Sequence, residues 1–91
     1  MLFVWMGFLK ADAGPVPLDV QQMTNDFLQQ PYIKIHSVGP MRDESGRRAG
    51  MMMVFEVDDH AKAETFVKGS PYLNAGLYES HHLFEYQNEI G

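Results

Sequence analysis

The side chains of this sequence best suited to proton transfer near neutral pH are its histidines, because imidazole titrates in that range without a special environment. There are four, at positions 36, 60, 81 and 82, and there is no cysteine. His81 and His82 are adjacent in a predicted strand, so their side chains should point to opposite faces of the sheet. They cannot bind one metal ion together. Each is either a polar contact for a ligand or a half-buried residue bonded to a carbonyl or water.

The other two histidines lie away from this pair. His36 falls in the opposite predicted edge strand, about three strand spacings or roughly 14 Å away, too far for a shared ligand set. His60 follows two aspartates at a predicted helix start and is expected on the solvated surface. We therefore expect no metal site within one chain. The sequence also has no phosphate loop, dinucleotide fingerprint or nucleophile elbow, so no cofactor is expected.

The segment GSPYLNAG, residues 69–76, holds the remaining candidate site residues. Ser70 is a good N-cap, Pro71 fits the first helical position, and Gly76 suits a left-handed exit. Tyr72 can either line a ligand cleft or pack the short helix against a sheet. We expect Ser70 to act through its cap alone, so that Ser70→Asp keeps the stability and Ser70→Ala loses about 1 kcal/mol.

Four strands and three helical segments are predicted to position these residues. Strands that are apolar on both faces are predicted at residues 2–10 and 50–57, and mixed polar and apolar strands at 32–39 and 77–86. Helices are predicted at residues 18–30, ended by Pro31, and at 58–69, begun by an Asp58 cap, with a helical turn at 70–76. Residues 40–48 are predicted to be a polar turn. The helical apolar positions expected to face the core are Leu18, Met23, Phe27, Leu28, Ala61, Ala63, Phe66 and Val67.

The element order βαββαβ predicts one domain over residues 1–91 with an α+β, ferredoxin-like fold and an antiparallel sheet. The first and third strands are central in this fold, and the helices cover only one face of the sheet. The other face would expose a large apolar patch, made of either Trp5, Met51, Met53 and Phe55 or their alternation partners Val4, Met6, Met52 and Val54. We therefore expect a homodimer in which two sheets pack face to face, a dimeric α+β barrel.

Several short motifs resemble those of one known family. Pro71-Tyr72, Ala75-Gly76-Leu77 and the strand after them resemble the signature of the YCII-related family, whose members are small dimeric α+β barrel proteins. Gly39-Pro40-Met41 before a turn, followed by Gly46, Gly50, an apolar strand and Glu56, is similar to the family's middle section. The resemblance implies this fold and assembly. It also implies a possible link to enzymes acting on small ring compounds, such as dehydrochlorinases.

The suspected site of that family pairs a histidine on the first helix with an aspartate immediately before the Pro-Tyr. A carboxylate that orients an imidazole makes a usable general base. Here residue 70 is serine, and no histidine occurs between residues 11 and 30. Ser70 can keep the helix cap but cannot supply the negative charge, so the pair is not carried over to this chain.

Composition narrows the class of partner. The formal charge is −5, which disfavours nucleic acid, and the apolar run 2–10 is too short to span a bilayer. Cysteine-free composition suits the cytoplasm. Arg42, Arg47 and Arg48 share a turn with Asp43 and Glu44, where mutual neutralisation in solvent is the expected role.

Three functions stay open at this point. The first is a dimer that binds an apolar or aromatic small molecule, or acts as an accessory protein, without catalysis. Its candidate contacts are Ser70, Tyr72, His81, His82 and His36, and the ligand is expected near Tyr72 and the last strand. The second is a cofactor-independent enzyme of dehydrochlorinase or isomerase type with a relocated base, His36, His81 or His82. The third is a structural module that serves a partner protein.

Overall fold

One antiparallel sheet with helices on one face forms the protein. A computed structural model describes residues 1–12 and 14–90. The strands are β1 (Leu2–Leu9), β2 (Lys34–Arg42), β3 (Arg48–Glu56) and β4 (Tyr78–Tyr86), and the helices are α1 (Leu18–Leu28), α2 (His60–Lys68) and α3 (Pro71–Asn74). The strand order is β2-β3-β1-β4. This order confirms the α+β, ferredoxin-like fold with β1 and β3 in the centre. No helix among the described residues is long and apolar enough to cross a membrane.

The register between β1 and β3 decides which apolar side chains face the helices. Phe3 lies opposite Phe55 and Trp5 opposite Met53, and these four side chains are the buried centre of the core with Ala63, Phe66 and Val67 of α2. The alternation partners Val4, Met6, Met52 and Val54 therefore lie on the helix-free face. This face also carries exposed aromatic rings at both ends of the β1–β4 pair, such as Phe8 (38% exposed) and Phe84 (54% exposed).

Two glycines in the central strands allow the core to close around Trp5. A Cβ atom at Gly7 would lie 2.6 Å from a carbon of the Trp5 ring, and a Cβ atom at Gly50 would lie 2.0 Å from the carbonyl oxygen of Gly7. Both distances are shorter than side chains tolerate. The indole therefore lies across a strand position that has no side chain, and β3 approaches β1 closely at the same level.

The hairpin between β2 and β3 is shorter than predicted. Residues 40–42, expected in the turn, belong to β2, and Arg48 begins β3. Pro40 is compatible with this assignment because β2 is an edge strand, where a missing N–H is tolerated. The turn itself is held by Asp43, whose carboxylate accepts hydrogen bonds from the backbone N–H groups of Ser45 and Arg47, both at 3.0 Å. Gly46 supplies a left-handed φ of 86°.

The prediction for α1 was wrong about which side chains face the core. Leu18 is 82% exposed and Met23 is 52% exposed, whereas Thr24 is 4% exposed. Only Phe27 and Leu28 of the four predicted residues pack against the core. The helix also ends at Leu28, three residues before Pro31, and the Gln30 side-chain amide after it donates to the Ile33 carbonyl. The helix is therefore rotated relative to the predicted apolar stripe.

The start of α2 also differs from the prediction. The N-cap is Asp59, whose carboxylate accepts from the backbone N–H of Lys62 at 2.8 Å. Asp58, the predicted cap, instead forms an ion pair with the Lys62 ammonium group at 2.8 Å. This pair lowers the pKa of Asp58, chiefly through the hydrogen bond. Ala61, predicted to face the core, is exposed, while Ala63, Phe66 and Val67 are buried as expected.

Candidate functional site

A small cavity lies between α1, the start of α3 and the sheet. It leaves only about 10 Å³ for the centre of a water molecule, which is close to the space that one water needs. Its walls are apolar except for two hydroxyl groups, those of Thr24 and Ser70. The apolar lining is Trp5, Phe27, Leu28, Met51, Met53 and Val67. Thr24 and Ser70 are also the buried polar residues found in the described part of the chain.

Ser70 combines a helix cap with a buried position. Its Oγ accepts from the backbone N–H of Leu73 at 3.5 Å, and Pro71 follows as the first helical residue. Gly76 leaves the helical turn with a left-handed φ of 71°. The predicted cap is therefore present. The side chain is only 9% exposed, however, and its apolar surroundings contradict the expectation that Ser70→Asp would keep the stability.

Thr24 was not found by the sequence analysis. Its Oγ1 is buried and has no hydrogen-bond partner among the described residues. A buried hydroxyl without a partner is costly, so such atoms point to a site or to a water. The signal was present in the sequence, because Thr24 precedes Phe27 and Leu28 by three and four residues and so shares their helix face. The predicted apolar stripe included Met23, and Thr24 was therefore not recognised as a buried residue.

Tyr72 belongs to a chain of aromatic rings under the helices. It is 7% exposed, and its ring meets the Tyr78 ring edge-on at 6.3 Å between centroids. Tyr78 meets Trp5 edge-on at 5.3 Å. The Arg48 guanidinium lies 5.8 Å from the centre of the Tyr72 ring on its other side. Burial raises the pKa of Tyr78 to about 12, although the positive charge of Arg48 acts in the opposite direction.

His81 stands at the end of this chain, on the helix-covered face. The indole N–H of Trp5 donates to His81 Nδ1 at 3.4 Å. Because indole can only donate, Nδ1 must accept, and the proton of the neutral imidazole lies on Nε2. A depression of about 290 Å³ adjoins His81, and its other lining residues are His60, Glu64, Val67, Lys68 and Leu83. His81 is thus a polar group beside the apolar side chains of Val67 and Leu83.

The structure does not bring the other two candidate histidines to this place. His82 pairs with Met6 on the helix-free face and its ring stacks on Phe84 at 6.2 Å and meets Phe8 at 6.1 Å. His36 lies on the edge strand β2, where its Nε2 is 3.0 Å from a carboxylate oxygen of Glu56. This bond lowers the pKa of Glu56. The five candidates therefore do not form one site: Ser70 and Tyr72 are buried, His81 is exposed on the helix-covered face of the sheet, His82 lies on the open face, and His36 lies at the edge.

A groove that Glu56 helps to line lies near the His36–Glu56 pair. Its volume is about 590 Å³, and it runs between the end of α1 and α2, over the stacked rings of Phe27 and Phe66. Glu56 and Lys62 border it. The described residues contain no group of three or more potential metal ligands.

An antiparallel four-stranded sheet with helices on one face and a buried hydroxyl pair beneath α1 defines a small ferredoxin-like protein of the α+β class. The chain belongs to the YCII-related domain family, whose model matches residues 1–87.

Two solved structures show the same fold. One is the 5-chloro-2-hydroxyhydroquinone dehydrochlorinase TftG from Burkholderia phenoliruptrix, in complex with 2,5-dihydroxybenzoquinone. It is 19% identical with a TM-score of 0.82, over 98% of this chain and 96% of that one. The other is the At3g17210 protein from Arabidopsis thaliana, 7% identical with a TM-score of 0.51, over 99% of this chain and 96% of that one. A search of curated proteins found no match.

Proposed function

We propose that the protein is a homodimer that binds a small apolar or aromatic molecule and does not use the acid–base pair suspected in its family. The observation that carries this proposal is the buried pair Thr24 and Ser70. Thr24 is the buried residue of the first helix, Ser70 immediately precedes Pro71-Tyr72, and both line one cavity. Ser70 stands where the family's suspected aspartate is expected, immediately before the Pro-Tyr, and Thr24 lies on the first helix, the element that carries the suspected histidine in the family.

Two hydroxyl groups cannot replace a histidine and an aspartate in proton transfer. A hydroxyl donates and accepts hydrogen bonds but does not take up a proton near neutral pH, and it carries no charge that would stabilise an imidazolium. A general base needs an accessible group whose pKa lies near the working pH. The cavity of this chain therefore supports packing and hydrogen bonding and does not support general base catalysis.

His81 is the polar contact that we propose for the ligand. The Trp5 indole fixes its neutral tautomer, which leaves the Nε2–H group as a donor for a carbonyl or phenol oxygen. Val67 and Leu83 supply apolar surface in the adjoining depression. A few polar groups over an apolar surface are typical of small-molecule sites. Tyr72 does not contact the ligand in this proposal. Its ring packs against Tyr78, which packs against Trp5, and these contacts position the indole.

The apolar face of the sheet supports the homodimer. Met52 and Phe84 are 38% and 54% exposed, and the half-buried Val4, Met6 and Val54 lie between them in the central strands. A contiguous exposed apolar patch rimmed by polar residues marks an interaction surface. A twofold axis would let the same face serve both subunits. His82, stacked on Phe84, would then be an interface residue and not a ligand contact.

The single tryptophan provides the test of the ligand site. Its indole N–H gives a single resonance in the NMR spectrum, and this proton is hydrogen-bonded to His81. Titration with small phenols and quinones should shift that resonance, and His81→Gln should weaken the binding by about 10-fold. His36→Gln, the same change on the far edge strand, should leave the binding unchanged. If the indole resonance stays fixed while the resonances of other residues move, the site is wrong.

A specific observation also favours the second candidate, a small enzyme with a relocated base. The carboxylate of Glu56 lies 3.0 Å from His36 Nε2, and Glu56 borders the groove of about 590 Å³. This arrangement is a carboxylate-oriented imidazole, although the His36 and Glu56 side chains are 37% and 47% exposed. An assay of proton abstraction from chlorinated hydroquinones would decide: turnover that is lost in His36→Gln and kept in His81→Gln supports the enzyme.

A further inference from the structure

Three cationic side chains border one pocket at the end of β1, although the whole chain is acidic. Lys10, Arg47 and Arg48 line a pocket of about 310 Å³, while the sequence has only seven Lys and Arg against twelve Asp and Glu. No Asp or Glu is among the described residues that line it. A pocket with this charge attracts an anion and not a neutral molecule.

Arg48 gives the pocket an unused donor. Its Nε is buried and has no hydrogen-bond partner among the described residues. Arg42 is its direct partner across the strand pair, and like charges at opposed positions destabilise a sheet. Arg42 bonds the Gly46 carbonyl at 3.0 Å, whereas the Arg48 guanidinium lies against the Tyr72 ring. Arg48 is half-buried, and an oxyanion at its guanidinium would supply the partner that the buried Nε–H group lacks.

Neutralisation by the acids of the turn, which the sequence predicted, does not reach this donor. The Asp43 carboxylate is held by the Ser45 hydroxyl at 2.7 Å and by backbone N–H groups of the turn. It lines a neighbouring depression together with Lys10, Arg47 and Arg48, and it offsets part of the Arg47 charge. Arg47 is further anchored because its Nη2 donates to the Ala11 carbonyl at 2.8 Å. Among the described residues, neither Lys10 nor Arg48 forms an ion pair.

The rest of the lining is apolar or neutral. Leu9, Pro15 and Val16 are apolar, and Gln21, which also lines the pocket, donates from its amide to the Val16 carbonyl at 3.2 Å. A ligand that satisfies both the cationic and the apolar lining residues has a carboxylate on one end and a hydrocarbon body on the other. Arginine suits this group because its planar fork matches a carboxylate.

We propose that this pocket binds a small organic carboxylate, with its oxygens on Arg48 and Lys10 and its hydrocarbon part on Leu9 and Val16. The pocket shares no lining residue with the depression at His81, and the two meet only indirectly, through the contact of Arg48 with the Tyr72 ring. A negative result for one of the two sites therefore does not overturn the proposal for the other.

Titration of the full chain with benzoate, followed by NMR at low salt, tests the proposal. Benzoate should shift the resonances of Leu9, Val16 and Arg48, and benzamide, the uncharged isostere, should bind at least about 10-fold more weakly. Arg48→Gln should weaken benzoate binding by about 10-fold or more. Arg42→Gln, the same change on the same hairpin outside the pocket, should alter it by less than about 2-fold.

Lys10→Gln is the second variant if Arg48→Gln fails to fold, because Lys10 is exposed. It should weaken benzoate binding by about 3-fold to 10-fold. Three results would overturn the proposal: benzamide binding as tightly as benzoate, Arg42→Gln weakening the binding as much as the pocket variants do, or inorganic phosphate binding as tightly as benzoate. The last result would mean that the pocket attracts any anion and does not recognise an organic carboxylate.

Discussion

Ser70 has two structural roles: its side chain caps α3 and lines an apolar cavity. The hydroxyl is small enough to cap α3 through Leu73 while it borders Trp5 and Met53. Serine fits because its polar group is neutral and its oxygen accepts the cap hydrogen bond. An aspartate would cap equally well but would place a charge at a residue that is only 9% exposed, and a desolvated charge without a partner is unfavourable.

Variants of Ser70 separate these two roles. Ser70→Ala should lower the free energy of unfolding by about 1 kcal/mol through loss of the cap. Ser70→Asp should lower it by about 2 kcal/mol or more at pH 7, and by less under acidic conditions where the carboxyl is protonated. Urea unfolding measures both, with Asp59→Ala as the matched exposed cap. If Ser70→Asp is as stable as the unmodified chain, residue 70 reaches solvent and the buried site is wrong.

Tyr78 makes the stability depend on pH at the alkaline end. Its pKa is raised to about 12 in the folded protein, against about 10 in an unfolded chain. The folded state therefore binds the phenol proton more tightly. This contribution is complete below about pH 10 and is lost as the pH rises to about 12. Because the ring is half-buried, we expect about 1–2 kcal/mol after solvent screening.

The measurement compares Tyr78→Phe with the unmodified chain across that pH range. The free energy of unfolding should fall more steeply in the unmodified chain than in Tyr78→Phe, which has no phenol to ionise. Tyr32→Phe is the control, since Tyr32 is 89% exposed. If the free energy of unfolding of Tyr78→Phe depends on pH as that of Tyr32→Phe does, the raised pKa does not belong to Tyr78.

At the scale of elements, the strands followed from the sequence more closely than the helices did. β1 and β3 are apolar on both faces and were predicted within two residues of their observed bounds, because a central strand leaves a continuous apolar run. The sequence could not choose between the two alternation sets, since both are apolar. The register of the sheet and the position of α2 decide that Trp5 and Met53 face the helices.

The first helix shows why the site was harder to predict than the fold. Its eleven residues contain apolar side chains on several sides, so periodicity alone does not fix which face is buried. The tertiary contact of Phe27 with Phe66, at 4.7 Å between ring centroids, sets its rotation. That rotation buries Thr24 and exposes Met23. The absence of a histidine from the first helix was visible in the sequence, but the burial of Thr24 was not.

Thr24→Val tests the buried face of α1. The change removes an unpartnered hydroxyl and keeps the shape, so the free energy of unfolding should stay the same or rise by up to about 1 kcal/mol. Thr65→Val on α2 is the control, because Thr65 donates an exposed hydrogen bond to the Ala61 carbonyl and should change by less than about 0.5 kcal/mol. A loss of more than about 1 kcal/mol in Thr24→Val would show that this hydroxyl has a partner in solution.

At the scale of the whole molecule, the two faces of the sheet should respond differently to charge. Val54→Asp places a carboxylate on the helix-free face and should dissociate the proposed dimer while the monomer stays folded. Met53→Asp places it in the core, where Met53 is 4% exposed, and should unfold the chain. Circular dichroism with size-exclusion chromatography distinguishes the two outcomes. Val38→Asp, at a residue 38% exposed on the edge strand, should do neither. If Val54→Asp stays associated, the interface lies elsewhere.

The proposed dimer depends on the helix-free face of the sheet. Its central residues Val4, Met6, Met52 and Val54 come from the two inner strands, so no edge strand or loop of the same chain covers them in the described structure. Burial of this face by a second copy would remove apolar surface from water on both subunits at once. The entropy of association opposes this gain, and the balance is what a measurement of mass reports.

Sedimentation velocity of the unmodified chain at micromolar concentration tests the central claim most directly. We expect one species at twice the 10.4 kDa mass of the chain. In Val54→Asp the equilibrium should shift toward the monomer. A single, stable 10.4 kDa species of the unmodified chain under the same conditions would contradict the proposed dimer.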